Sequence, residues 1–253
     1  MIEITWFLMK IAAVLFDLDG TLAETELAHL ECFNYAFQEF QLPFQWSKEL
    51  YSELLMVGGG LERIKYYLQH FQPHLQLSHE EIKKIHTVKT ECYKSKINKP
   101  VPLRIGVLRV LKELVDNKIK IALVTTSSKE STDAFLAHSL PSFVNFDLVI
   151  TGNDVENKKP HPELYLKSIQ RLNVNPENAI VVEDSRMGLL SGVRANLRVL
   201  ITPSIFTNNH AFHEAYSVIS HLGEPDNPFQ HLLNRPLPKN FVDLEVFEYI
   251  LKN

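Results

Sequence analysis

Two aspartates one residue apart, Asp17 and Asp19, follow directly on the apolar run Ile11–Phe16, and Gly20 comes next. Charged side chains are rarely buried unless they are paired or bind a metal, so acids at the end of a core-bound strand point to chemistry. The period of two sends both carboxyls to the same side, and glycine lets the chain turn sharply after them. A second apolar run, Ile119–Val124, ends in Thr125-Thr126-Ser127. Hydroxyls with free backbone N–H groups at a helix entrance suit a phosphate. Further on come Lys158-Lys159-Pro160 and then Ala179–Val182, which ends in Glu183-Asp184. Four converging acids repel one another unless a cation sits among them, and oxygen ligands with one open phosphate position describe Mg²⁺. A lysine and a hydroxyl then neutralise and orient the phosphate. The implied chemistry is phosphoryl transfer by positioning and charge.

Each piece alone has an ordinary reading: a turn, a helix cap, a solvated lysine, a loop acid pair. Their order is the signal, because open α/β sheets gather ligands at the carboxyl ends of their strands. The elements that must position them alternate. Helices are expected over 106–117, 131–138, 162–172 and 187–195, and strands over 119–125, 146–151, 179–183 and 198–201. A terminal helix is expected over 242–251. This alternation predicts an α/β fold with a Rossmann-like parallel sheet core. Residues 25–99 interrupt it with helical spacing and no convincing strand, including helices over 61–71 and 79–96. Ser78 stands at a helix start with Glu81 at the capping-box offset. The expected division is a core of 9–24 and 100–253, an inserted all-helical cap of 25–99, and an N-terminal extension of 1–8.

The chain has 253 residues, 45% of them hydrophobic, and a formal net charge of -4, which excludes a strongly basic surface for nucleic acid or anionic membrane. No apolar run reaches the roughly 18 residues of a membrane span. Ile2–Met9 is apolar but lacks a basic n-region and a small-residue cleavage site, so no signal peptide is read there. Cys32 and Cys92 are the two cysteines. They are expected as reduced thiols in a cytoplasmic protein, with no metal-ligand spacing. A monomer is expected.

The pieces "DLDGT" (17–21), "TTSS" (125–128), "KKPHPELY" (158–165) and "VVEDSRMG" (181–188) resemble the haloacid dehalogenase superfamily of phosphohydrolases, in its β-phosphoglucomutase-like subgroup. The resemblance implies that Asp17 is the nucleophile and forms an aspartyl-phosphate. It implies that Asp19 is the general acid and then base, with a pKa raised by burial and by its acidic neighbour. It implies Mg²⁺ held by Asp17, the backbone carbonyl of Asp19, and Asp184, with Glu183 helping through water. Thr125 and the Thr126 N–H would hold the transferring phosphoryl, and Lys159 would bridge the phosphate and Asp17.

The cap chooses the substrate. Glu24, at the hinge, is expected to accept hydrogen bonds from sugar hydroxyls. His29 occupies a position where relatives often have histidine. In "GGGLERI" (58–64), glycines bring the backbone close to a ligand and Arg63 offers a planar fork to a non-reacting phosphate. These cap pieces are most similar to the xylulose-1,5-bisphosphate phosphatase branch, which implies a small phosphorylated substrate, preferably a ketose bisphosphate. A hexose-phosphate mutase and a phosphatase of another sugar monophosphate share the same core motifs.

Overall fold

The computed structural model describes residues 10–253; the expected N-terminal extension over residues 1–8 lies outside the described residues. The chain opens with β1 (Ala13–Phe16) and then forms four successive helices, α1 (Glu26–Glu39), α2 (Lys48–Leu54), α3 (Gly60–Phe71) and α4 (His79–Lys96). Strand and helix then alternate: α5 (Val107–Asp116), β2 (Lys120–Val124), α6 (Lys129–Ser139), β3 (Leu148–Ile150), α7 (Glu163–Leu172), β4 (Ala179–Glu183), α8 (Arg186–Arg194) and β5 (Arg198–Ile201). The chain ends with β6 (Ser217–Ile219), β7 (His231–Asn234) and α9 (Leu244–Lys252).

The sheet order is β3-β2-β1-β4-β5-β6-β7. Its neighbours are parallel except for the β6–β7 pair. β1 lies between β2 and β4, so the chain reverses its direction of travel across the sheet at β1. Such a switch point opens a crevice at the carboxyl ends of the strands. β1 and the inner residues of β2 and β4 are apolar because both faces are covered there. Val14 and Phe16 pack into one core with Ile121, Leu123, Ile180 and Val182, whereas Ala13 and Leu15 join Ala122, Val124, Ala179 and Val181 in the other.

The helical insertion has its own core, in which Phe33, Phe37, Trp46, Tyr51 and Tyr67 pack together. The Phe37 ring sits 5.0 Å from Phe44 and 4.8 Å from Trp46, centroid to centroid. Its crossings to and from the sheet run side by side: Ala23 and Leu103 form an antiparallel bridge. Arg104 N–H also donates to Leu22 O at 2.8 Å. The Ser78–Glu81 capping box is present at the start of α4.

Three elements escaped the sequence reading. α2 is only seven residues long and is announced by Ser47 alone, whose side chain accepts from Leu50 N–H. β6 has three residues, and β7 is exposed along its whole length at the sheet edge, so neither carries an apolar alternation. The cysteines require a correction. Cys32 on α1 and Cys92 on α4 form a disulfide, with their Cα atoms 5.5 Å apart. The two helices pack along their length, and that packing, invisible in a spacing of 60 residues, brings the thiols together. Among the described residues no helix is long and apolar enough to cross a membrane.

Phe37 is fully buried in the insertion's core. Phe37→Ala is expected to cost about 3–5 kcal/mol, read as a lowered urea midpoint.

Candidate active site

β1, β2 and β4 end beside one another, and the side chains that follow them meet below the insertion. Asp17 extends β1, its N–H donating to Val182 O at 3.0 Å. Gly20 then turns at a φ of 85°, in the left-handed region that favours glycine. A Cβ there would sit 2.2 Å from Asp184 Oδ2, so the turn also makes room for the acid that follows β4. Lys159, from the loop before α7, reaches under the strand ends. Its three N–H donors are all used: Asp17 Oδ1 at 2.6 Å, Glu183 Oε1 at 2.6 Å and Val124 O at 2.8 Å. Among the described residues no donor reaches Asp17 Oδ2, which is left for another partner.

Burial and then the Glu183 carboxylate push the Asp17 carboxyl well above the usual carboxylate range, against the pull of Lys159. Asp184 is raised by the same two causes. Burial alone would lower Lys159, but Asp17 and Glu183 hold it above its ordinary value. Oxygens of Asp17, Glu183 and Asp184 lie within 4.8 Å of one another. A crowd of buried oxygens with too little positive charge fits a hard divalent cation such as Mg²⁺.

Glu183 is fully buried. One oxygen takes Lys159 and the Tyr165 hydroxyl, and the other takes the N–H groups of Asp184 and Ser185 and the Ser185 hydroxyl. It thereby anchors Lys159 and the loop after β4 while its oxygens stay within the acidic group. Asp184 is steadied by Thr207, whose hydroxyl donates to Oδ2 at 3.0 Å.

Asp19 departs from expectation. Burial pushes its carboxyl up, but the electrostatic pull of His29, and then hydrogen bonds from His29, Ser127 and Thr25, hold it well below the usual range. His29 Nε2 stands 3.0 Å from Oδ1. Lys89 Nζ lies 2.6 Å from His29 Nδ1. The His29 ring stacks on Tyr93 at 3.8 Å.

Asp17, Asp19, Asp184, Thr125, Thr126, Lys159, His29 and Arg63 all line one cavity of about 250 Å³ between the sheet and the insertion. Thr125 Oγ1 accepts from Ser127 N–H, which tightens the loop after β2. Arg63 is buried at the far wall, with Nε, Nη1 and Nη2 donating to Leu54 O, the Tyr51 hydroxyl and Val57 O. That leaves two of its five N–H groups for a ligand.

Glu24 is not among the lining residues. It faces away and pairs with Arg104 at 3.0 Å, because the hinge puts both on the same side. The carboxylate of this stretch that does line the cavity is Glu26, which accepts the Tyr51 hydroxyl at 2.6 Å.

Sequence reasoning missed Thr25, Thr207, Glu26 and Lys89 as site residues, and it read Ser127 as a phosphate hydroxyl where the structure has it donating to Asp19. Only Lys89 left a trace, a lysine on the buried stripe of Ile82, Ile85 and Tyr93. The GGG loop meets the core closely: a Cβ on Gly58 would stand 2.1 Å from Lys159 O. Lys158, the neighbour of Lys159, pairs instead with Glu62 on α3 at 2.8 Å.

This fold and constellation match the family model "Haloacid dehalogenase-like hydrolase" over residues 14–202. The chain belongs to that family and is a hydrolase. The plasmid-borne protein CbbY of Cupriavidus necator is 34% identical over 227 residues, covering 87% of this chain and 89% of that protein. A phosphorylated carbohydrates phosphatase of Thermotoga maritima is 31% identical over 194 residues, 73% of this chain and 82% of its own length. The crystal structure of a mutant CbbY from Rhodobacter sphaeroides in complex with xylulose 1,5-bisphosphate is similar at a TM-score of 0.77 and 34% identity. It covers 83% of this chain and 94% of that one.

Lys89 supplies a test of buried charge. Burial pulls its pKa from 10.5 down to about 8. Below pH 8 the folded protein carries the full cost of burying the ammonium, a shift worth about 3 kcal/mol. Between about 8 and 10.5 the unfolded chain binds more protons, so this group's contribution to stability rises with pH there. Lys89→Met is therefore expected to stabilise the protein most below pH 8, with the gain shrinking toward pH 10 in denaturant titrations, while turnover falls.

Proposed function

We propose that this hydrolase removes phosphate from a small sugar phosphate through an aspartyl-phosphate on Asp17, and that its preferred substrate is a ketose bisphosphate of the xylulose 1,5-bisphosphate kind. The observation that carries the reading is the carboxylate–ammonium contact of Asp17 and Lys159, 2.6 Å apart, with Asp17 Oδ2 unengaged on the cavity side. Lys159 neutralises charge without competing for the attacking oxygen. The CbbY complex and the phosphatase relative support the substrate class.

In the first step Oδ2 of Asp17 attacks phosphorus in line, and the bond to the sugar oxygen breaks. Asp19 gives its proton to the leaving alkoxide. The arriving phosphate adds negative charge beside Asp19, which raises a carboxyl held low in the free site. In the second step Asp19 takes a proton from water, the hydroxide attacks phosphorus, and the Asp17–phosphorus bond breaks, releasing phosphate and restoring the carboxylate. Thr125 and the Thr126 N–H hold the phosphoryl oxygens. Lys89 and His29 keep Asp19 oriented through both steps. Asp17, Asp184 and the backbone carbonyl of Asp19 would hold Mg²⁺, which when bound draws negative charge off the phosphate oxygens.

Besides its acids, the cavity is lined by Arg63, Lys89 and Lys158. Cations beyond Lys159 suit a substrate with one phosphate to react and one to hold.

Asp17→Asn is expected to keep less than about 1% of kcat, because an amide is no nucleophile. Phosphate release across sugar mono- and bisphosphates, with and without Mg²⁺, checks this. Isomerised sugar phosphate without net phosphate release would replace hydrolysis by mutase chemistry. Arg63→Ala is expected to lower kcat/KM for bisphosphates far more than for p-nitrophenyl phosphate. Equal losses on both would remove Arg63 as the holding group.

A further inference from the structure

The Cys32–Cys92 disulfide lies on the seam between α1 and α4, two of the helices that line the insertion's side of the cavity. His29 is three residues before Cys32 on α1, and Lys89 is three residues before Cys92 on α4. Residues three apart share a helix face, so the disulfide sits one turn along from the Lys89–His29 contact on both helices at once. Tyr93, next to Cys92, is the residue stacked on His29. The two sulfurs differ in access. Cys32 is fully buried in the core. Cys92 is half-buried and lines a shallow outer groove with Tyr35, Thr87, Val88, Glu91, Ser95 and Lys96.

We propose that this disulfide is a thiol-exchange site, entered at Cys92 by a dithiol reductant, and that its oxidised form holds the cavity wall in working order. A thiolate of the dithiol attacks Cys92 Sγ through the groove, and the sulfur–sulfur bond breaks with Cys32 leaving as thiolate. The reductant's second thiolate then attacks its own sulfur in the mixed disulfide and expels Cys92. The cystine gains two electrons and two protons, and the dithiol loses them in becoming a disulfide. Once separated, α1 and α4 keep only non-covalent packing. The Lys89–His29–Asp19 chain loses its pin, and turnover falls.

The exchange arm stands apart from the assigned activity; the turnover arm rests on the phosphatase reading. Native protein purified without reductant is incubated with glutathione, quenched by alkylation, and mapped by peptide mass. The expected result is a glutathione adduct on Cys92 with Cys32 released. An adduct on Cys32, free thiols at the outset, or no reaction until denaturant is added would overturn the exchange site.

The second arm measures phosphate release from p-nitrophenyl phosphate before and after dithiothreitol, and again after reoxidation. A fall of about tenfold that reverses is expected, the scale of modest misalignment of a catalytic group. The C32S/C92S double variant should sit at the low value and ignore dithiothreitol. Backbone hydrogen exchange in α1 and α4 reads the same loosening with no substrate present, so a wrong substrate class leaves this arm readable. If exchange rates and turnover stay unchanged on reduction, the coupling to the cavity is refuted.

Discussion

The structure depends on a charge balance struck in a dry place. Lys159 is buried at the ends of three strands and donates to Asp17, Glu183 and the Val124 carbonyl. An ammonium in the interior is costly unless all three donors find acceptors, and here they do. The lysine in turn lets two acids approach each other. Asp184 adds a third with no cation of its own, which leaves the group short of positive charge. That deficit suits the crevice to a divalent cation. The sheet's switch point at β1 supplies the crevice, and the turn at Gly20 leaves space for Asp184 within it.

The insertion answers the acids with cations and ordered donors. Its hinge is tied by Arg104, which pairs with Glu24 and donates to the carbonyls of Thr202 and Pro203. The hinge therefore joins the loop after β1 to the loop after β5. That second loop carries Thr207, which steadies Asp184, and Phe206, whose ring meets Tyr51 of the insertion. Movement of the insertion is thus coupled to groups that touch the reacting centre. Lys89 and His29 make the link direct, because Lys89 on α4 contacts His29 on α1 and His29 contacts Asp19. Burying Lys89 opposes stability, a cost consistent with a site built for function.

Much of the core was legible in the sequence because its signals are local. The acids, hydroxyls and lysine each close a short apolar run, and strand ends in an open sheet converge. The order of "DLDGT", "TTSS", "KKPHPELY" and "VVEDSRMG" is that convergence written linearly. The capping box at Ser78 and Glu81 was equally local. Glu24 and Glu26 mark the limit. Both are hinge acids two residues apart, and only the turn of the chain decides that one meets Arg104 and the other the cavity.

By itself the sequence determined the α/β class, the helical interruption after the first strand and which acids, hydroxyls and lysine close the apolar runs. Those follow from residue types and periods of two and 3.6, which act over a few neighbours. The tertiary structure alone decided that Cys32 and Cys92 join, and that Glu183 spends both oxygens on internal donors. It also decided that Asp19 is held low by groups from two separate stretches of chain, the start of α1 and the loop after β2. The reason is physical. A carboxylate's charge state and a thiol's partner depend on what lies within a few ångströms, and those neighbours here stand from one to more than a hundred residues away along the chain.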